Sequence, residues 1–246
     1  MQTYYLTDAG KVREHNEDSV IIVKNNNKEY LLAVADGMGG HQDGETASSI
    51  TIEYIRNAFL EYESIGDKAN AVNFMRENVK KINEMIFDYA NNHEESKGMG
   101  TTLVMAILTS DYLVFGNIGD SSGYVLKDDK LFKVTKDHTL VNLLINTGEL
   151  TEEEAKKHPK KNVLMRALGA NDPIEIDIFD VETEIQAIML CSDGLTNMLD
   201  EEQITKVLTT KELTIEEKIL RLIKKSNNRG GSDNISIAYL LKESGE

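Results

Sequence analysis

Apolar and polar positions are patterned so that strands and helices separate along the chain. Residues 18–24 (DSVIIVK) and 29–36 (EYLLAVAD) are short runs of β-branched and aliphatic side chains. The polar cluster Asn25-Asn26-Asn27-Lys28 between them predicts a hairpin loop. Residues 44–62 then place Ala47, Ile50, Ile55, Ala58 and Phe59 at helical intervals. Residues 69–93 repeat the pattern with Val72, Met75, Val79, Ile82, Met85, Ile86 and Tyr89. Strand-like runs return at 101–108, 112–118, 123–126 and 131–134. Residues 137–168 are polar and basic, with helix in pieces. Strands follow at 175–180 and 186–191, helices at 200–208 and 215–227, and a last strand at 235–241. No Pro/Gly/Ser-rich linker interrupts this order, and no repeat of 20–50 residues is visible. The elements run strands, two helices, strands, two helices, strand, which is not the steady alternation of a parallel sheet. The expected fold is α+β, with antiparallel strands and segregated helices in one domain over residues 1–246.

Charge narrows the function. The 246 residues hold 27 Lys+Arg and 42 Asp+Glu, a net charge of −15. Nucleic-acid affinity comes mostly from cations set against phosphates, and anionic membrane surfaces select the same sign. Neither partner is expected. An anionic substrate remains open, provided local cations offset the field. A single cysteine, Cys191, forbids an internal disulfide and suits a reducing compartment. No apolar run approaches the roughly 18 residues of a membrane span, and the first residues lack a signal peptide's basic and apolar regions.

Aspartates punctuate the strand ends. Asp36, Asp120 and Asp193 each follow an apolar run, Asp233 precedes the last strand, and Asp18 opens an early one. Taken singly, each reads as turn chemistry, and Asp36-Gly37 and Asp193-Gly194 are ordinary turn dipeptides. Taken together, carboxylates at strand ends can converge on one sheet edge, where they repel unless a cation lies between them. An oxygen-rich set suits hard ions such as Mg²⁺ and Mn²⁺. The Cys/His clusters of a zinc site, the EF-hand loop and the Walker A loop are missing from the sequence. Sites of this kind often hydrolyse phosphate esters.

Six segments then form a recognisable series. Asp8-Ala9-Gly10-Lys11-Val12-Arg13-Glu14-His15-Asn16-Glu17-Asp18 resembles the opening motif of the bacterial type-2C, metal-dependent serine/threonine protein phosphatases. Asp36-Gly37-Met38-Gly39-Gly40-His41 resembles their second motif. Gly98-Met99-Gly100-Thr101-Thr102, Gly116-Asn117-Ile118-Gly119-Asp120-Ser121, Cys191-Ser192-Asp193-Gly194-Leu195 and Gly231-Ser232-Asp233-Asn234-Ile235 resemble the later ones, in the family's order. The resemblance implies a central β-sandwich of two antiparallel sheets flanked by helix pairs, with a small flap at about residues 137–170.

The resemblance also implies roles. Asp36 would bridge two Mn²⁺ or Mg²⁺ ions, with the Gly37 carbonyl completing the second. Asp193 and Asp233 would serve the first ion, and Asp120 with Asp193 a looser third. Asp18 would act from behind, through metal-bound waters. Arg13 would clamp the substrate phosphate and His41 would protonate the leaving alkoxide. Against these stand plainer readings: Arg13 as a surface partner of Glu14 or Glu17, and His41 as part of the glycine-rich turn. His15, His93, His138 and His158 read as ordinary polar residues, and Cys191 as a small buried hydrophobe. Ser122 stands where the family often has Arg, Met165 where a small Thr is common, and Ser236 for a frequent Thr. The implied activity is hydrolysis of phosphoserine and phosphothreonine in proteins by in-line attack of a metal-bridging water. The implied partners are substrates of a bacterial serine/threonine kinase, met by a cytoplasmic monomer. A small phosphate-ester hydrolase and a catalytically weak or dead phosphoprotein-binding module stay open as alternatives.

Overall fold

The computed structural model describes residues 1–39 and 43–242. Among them, two antiparallel sheets face each other between two layers of helices. The first sheet has the order β1 (Gln2–Asp8), β11 (Ile235–Leu241), β10 (Ala187–Cys191), β7 (Ser122–Lys127), β8 (Lys130–Lys133). The second runs β2 (Asp18–Lys24), β3 (Tyr30–Met38), β5 (Leu103–Leu108), β6 (Leu113–Ile118), β9 (Asp177–Val181), with the two-residue β4 (Gly100–Thr101) also on β3. Helices α1 (Asp43–Leu60) and α2 (Lys68–Asn92) cover the second sheet. Helices α5 (Asp193–Thr196), α6 (Glu201–Leu208) and α7 (Ile215–Asn228) cover the first.

Strand alternation explains the layering. On β3, Leu32 and Val34 point between the sheets, where they meet Val104, Phe115, Ile188, Leu190, Ala238 and Leu240. Leu31, Ala33 and Ala35 point the other way, into the cluster with Ile55, Phe59, Met75 and Ile82 of the helices. A strand buried on both faces loses its polar alternation and reads as a continuous apolar run, as β3 and β5 do. Helix starts follow capping chemistry: Asp67 caps α2, and Thr214 with Glu217 forms a capping box on α7.

Between β8 and β9 the chain leaves the sandwich as a flap carrying α3 (Leu140–Asn146) and α4 (Glu152–Lys157). Its roots are tied down by isolated bridges of Thr139 to Leu164 and of Thr101 to Leu168. Asn83 of α2 accepts from the Gly169 N–H at 2.8 Å and donates to the Asn171 carbonyl at 3.0 Å, fixing the returning end.

Candidate active site

Register brings the aspartates to one end of the sandwich. Asp18 lies directly opposite Asp36 in the β2–β3 ladder. The ends of β7, β10 and β11 meet at Ser122, Cys191 and Ile237, so that Asp120 and Asp233 in the adjoining loops and Asp193 at the start of α5 come to one end. A pocket of about 500 Å³ is lined by Arg13, Asp36, Gly37, Asp120, Asp193 and Asp233. Flap residues Leu164, Met165 and Arg166 close its other side. Asp18 sits behind this wall, 6% exposed. His41 lies outside the described residues.

Backbone and hydroxyl contacts hold these carboxylates in place. Thr102 clamps Asp36 twice: its N–H donates to the Asp36 carbonyl at 2.9 Å, and its Oγ1 accepts from the Asp36 N–H at 3.0 Å. Thr101 Oγ1 donates to the same carbonyl at 2.9 Å. Gly37 permits the close crossing of β3 and α1, since a Cβ there would lie 2.0 Å from the Gly44 carbonyl oxygen. Ser192 Oγ donates to Asp18 Oδ2 at 2.7 Å and accepts from the Ser236 N–H at 2.9 Å. Asn234 stitches the Arg13 loop to β11. Its Nδ2 donates to the carbonyls of Ala9 (3.0 Å) and His15 (2.9 Å), and its Oδ1 accepts from the Glu17 N–H at 2.9 Å. Arg13 Nη2 reaches Asp233 Oδ2 at 2.9 Å, so the plainer reading of Arg13 as a partner of Glu14 or Glu17 gives way to a pair with a pocket carboxylate.

The electrostatics are those of crowded acids. Burial, and then the charges of Asp18, Asp193, Asp120 and Asp233, push the Asp36 carboxyl well above its ordinary range. Burial is also the largest cause for Asp18 and Asp120, each raised to about 7, and for Asp193, raised to about 6. Like charges this close cannot all ionise without a counter-cation. The donors fit a hard divalent ion: among the described residues, the pocket lining offers several carboxylate oxygens and no thiolate or imidazole, and the buried Asp18 Oδ1 has no hydrogen-bond partner. Among the described residues, no group of three or more His, Cys, Asp or Glu side chains is set to hold a metal ion by itself. Mg²⁺-type ions need none, because they keep several waters and take few carboxylates.

Sequence reading gave no role to Thr102, Ser192 or Asn234, although all three lie inside the motifs it quoted. His138 also departs from the plain polar reading. Its ring contacts the Gly119 N–H and Asp177, and it lies beside Arg166 of the flap. His93 fits that reading, stacked on Tyr89 at 4.1 Å.

Comparison with known proteins gives the family. The family model described as protein phosphatase 2C matches residues 9–224. The serine/threonine phosphatase stp of Listeria innocua is 39% identical over 238 residues, covering 96% of this chain and 94% of that protein. The protein phosphatase PhpP of Streptococcus pneumoniae is 33% identical, over 98% of this chain and 97% of its own. The solved serine/threonine phosphatase of S. agalactiae superposes with a TM-score of 0.93 at 34% identity, covering 98% of this chain and 99% of that one. On these matches, along nearly its whole length, the chain belongs to the protein phosphatase 2C family.

Proposed function

We propose that this serine/threonine protein phosphatase works by direct in-line hydrolysis, with no phosphorylated enzyme, on phosphoserine and phosphothreonine side chains of other proteins. One observation carries the reading: Arg13 and four strand-end aspartates line a single pocket. Asp36 would serve both of two Mn²⁺ or Mg²⁺ ions, with the Gly37 carbonyl on the second. Asp193 and Asp233 would serve the first, and Asp120 with Asp193 a looser third. Ions held there would supply an acidified water as nucleophile and positive charge for the phosphate.

The chain's own residues do the rest. Arg13 presents a planar fork of N–H donors, which fits two phosphate oxygens. Its present partner is a half-exposed contact with Asp233, the kind of pair that gives little stability and is easily exchanged. Asp18, buried against Ser192 and facing Asp36 across the ladder, orients the pocket from behind. His41, between β3 and α1 in sequence, is the candidate proton donor to the leaving alkoxide. Phosphoryl transfer needs positioning and charge stabilisation more than covalent help, which is what these groups offer.

The chain is read as one catalytic domain with a flap at about 137–170. We place it as a cytoplasmic monomer that reverses the marks of a bacterial serine/threonine kinase. The one cysteine, buried in β10, suits a reducing compartment. No helix among the described residues is long and apolar enough to cross a membrane.

Arg13→Ala tests phosphate engagement. Charge-assisted hydrogen bonds contribute roughly 1.5–3 kcal/mol each, so KM for a phosphopeptide should rise about 10- to 100-fold. Inhibition by inorganic phosphate should weaken by a similar factor. An unchanged phosphate inhibition constant would return Arg13 to a surface role. Turnover of phosphopeptides against free small phosphate esters, in the same assay, separates a protein phosphatase from a small-ester hydrolase.

A further inference from the structure

His138 has no part in the chemistry above, yet it grips the turn that carries Asp120. Its backbone N–H donates to the Gly119 carbonyl at 2.9 Å, and its Nδ1 accepts from the Gly119 N–H at 3.1 Å. Accepting at Nδ1 puts the ring proton on Nε2, which donates to Asp177 Oδ2 at 3.0 Å. Asp177, the first residue of β9, accepts on its other oxygen from Arg166 Nη1 at 2.7 Å. Burial alone would raise Asp177; the hydrogen bonds from His138 and Arg166 outweigh it and hold the carboxyl below its usual range. Arg166 lies in the returning limb of the flap, where the Met165 N–H also donates to the His138 carbonyl at 2.8 Å.

These contacts form one unbroken chain, Arg166–Asp177–His138–Gly119, that ends one peptide from Asp120. Its far end has little slack. Gly119 sits at φ +100°, and a Cβ there would lie 2.6 Å from the Thr102 side chain. Thr102 is the residue that clamps Asp36, and its Oγ1 is 2.8 Å from Ser121 Oγ. The Asp120 turn is therefore held between Thr102 on one side and His138 on the other. The His138 side chain is only 10% exposed, whereas Arg166 and Asp177 are 33% and 41% exposed at the flap root.

We infer that His138 is a positioning residue that couples the seating of the flap, through Arg166 and Asp177, to the placement of Asp120 in the pocket. This rests on the reading of Asp120 as a ligand of the looser ion. A flap that lifts takes Arg166 from Asp177, frees the imidazole and loosens the Gly119 turn. By linkage, whatever fixes Asp120 favours the seated flap.

Three variants separate the links. His138→Ala removes the ring's contacts with Gly119, Asp177 and Arg166. His138→Asn keeps an acceptor near the Nδ1 position but cannot reach Asp177. Arg166→Met cuts the flap end without touching Gly119. Amide hydrogen exchange is followed at Gly119 and His138 in metal-free protein, and Mn²⁺ binding by calorimetry. Arg166→Met should speed exchange at both amides about tenfold, the scale of one lost hydrogen bond, and weaken the loosest Mn²⁺ step by a similar factor. His138→Asn should match it, and adding Arg166→Met to His138→Ala should change nothing further. Exchange at Gly119 unmoved by Arg166→Met, or strictly additive effects in the double variant, would overturn the coupling. Asp120→Asn tests the underlying reading separately. If it leaves every Mn²⁺ step intact, Asp120 is not a ligand, and the exchange result alone then decides the coupling.

Discussion

Asp36→Ala is expected to lower phosphate release from a phosphothreonine peptide by at least about 10²-fold at saturating Mn²⁺, the scale of losing one major charge-stabilising element. Asp36 is the most constrained acid of the pocket. Thr101 and Thr102 fix its backbone, Asp18 faces it across the ladder, and the charges of Asp193, Asp120 and Asp233 all act on it. Removing its carboxylate takes away the group assigned to both core ions and leaves the remaining acids to repel each other. Asp36→Asn keeps the side-chain shape and the threonine clamp, so a comparable loss there would come from charge and not from a disturbed strand. Asp233→Ala should fall as far, and it also frees Arg13 from its 2.9 Å contact. Near-normal turnover in Asp36→Ala or Asp233→Ala would remove that residue from the ligand set.

A second large effect is expected at His41, and it depends on the leaving group. A serine or threonine alkoxide is strongly basic and must be protonated as it departs. Nitrophenolate is a good leaving group and needs little help. A positioned general acid typically contributes about 10²–10⁴-fold. His41→Ala should lose much of that on a phosphothreonine peptide and little on p-nitrophenyl phosphate. The imidazole must carry its proton to act, so activity that depends on it falls as pH rises through the histidine range. The high-pH limb of the phosphopeptide profile should therefore flatten in the variant. Equal losses on both substrates, with that limb intact, would leave His41 as part of the glycine-rich turn only.

Much of this was legible in the sequence, for reasons visible in the fold. The strand reading at 18–24 coincides with β2, and that at 235–241 with β11. The helix read at 215–227 is α7, one residue longer in the structure. These elements face a core directly and carry a strong pattern. The run read as one strand at 101–108 breaks at Thr102, because that residue turns its hydroxyl to Asp36 and Ser121 instead of continuing the ladder. The strand β1 went unread: it pairs only with β11 at a sheet edge, and Tyr5 stands 45% exposed among threonines. The helix α5 has four residues, too few for any period to show.

The site divides in the same way. Strand-end aspartates could be picked out because turn residues after apolar runs are a local signal. The residues that hold them could not. Asn234 is 217 positions from Glu17, and Ser192 is 174 from Asp18. His138 is 39 from Asp177 and 28 from Arg166. The packing of the two sheets, which sets the ends of β10 and β11 against the start of β2, and the return of the flap over β9 bring those partners together. The local pattern shows Ser192 and Asn234 inside their motifs but not the partners they meet.

The most direct test of the central claim is phosphate release from a phosphothreonine peptide by the intact chain, measured with Mn²⁺, after exhaustive chelation with EDTA, and after Mn²⁺ is restored. The carboxylate-lined pocket requires release to depend on Mn²⁺, to vanish with EDTA and to return on readdition. Release that persists undiminished through chelation would contradict the assignment of Asp36, Asp193 and Asp233 as metal ligands, and with it the account of how this pocket hydrolyses a phosphate ester.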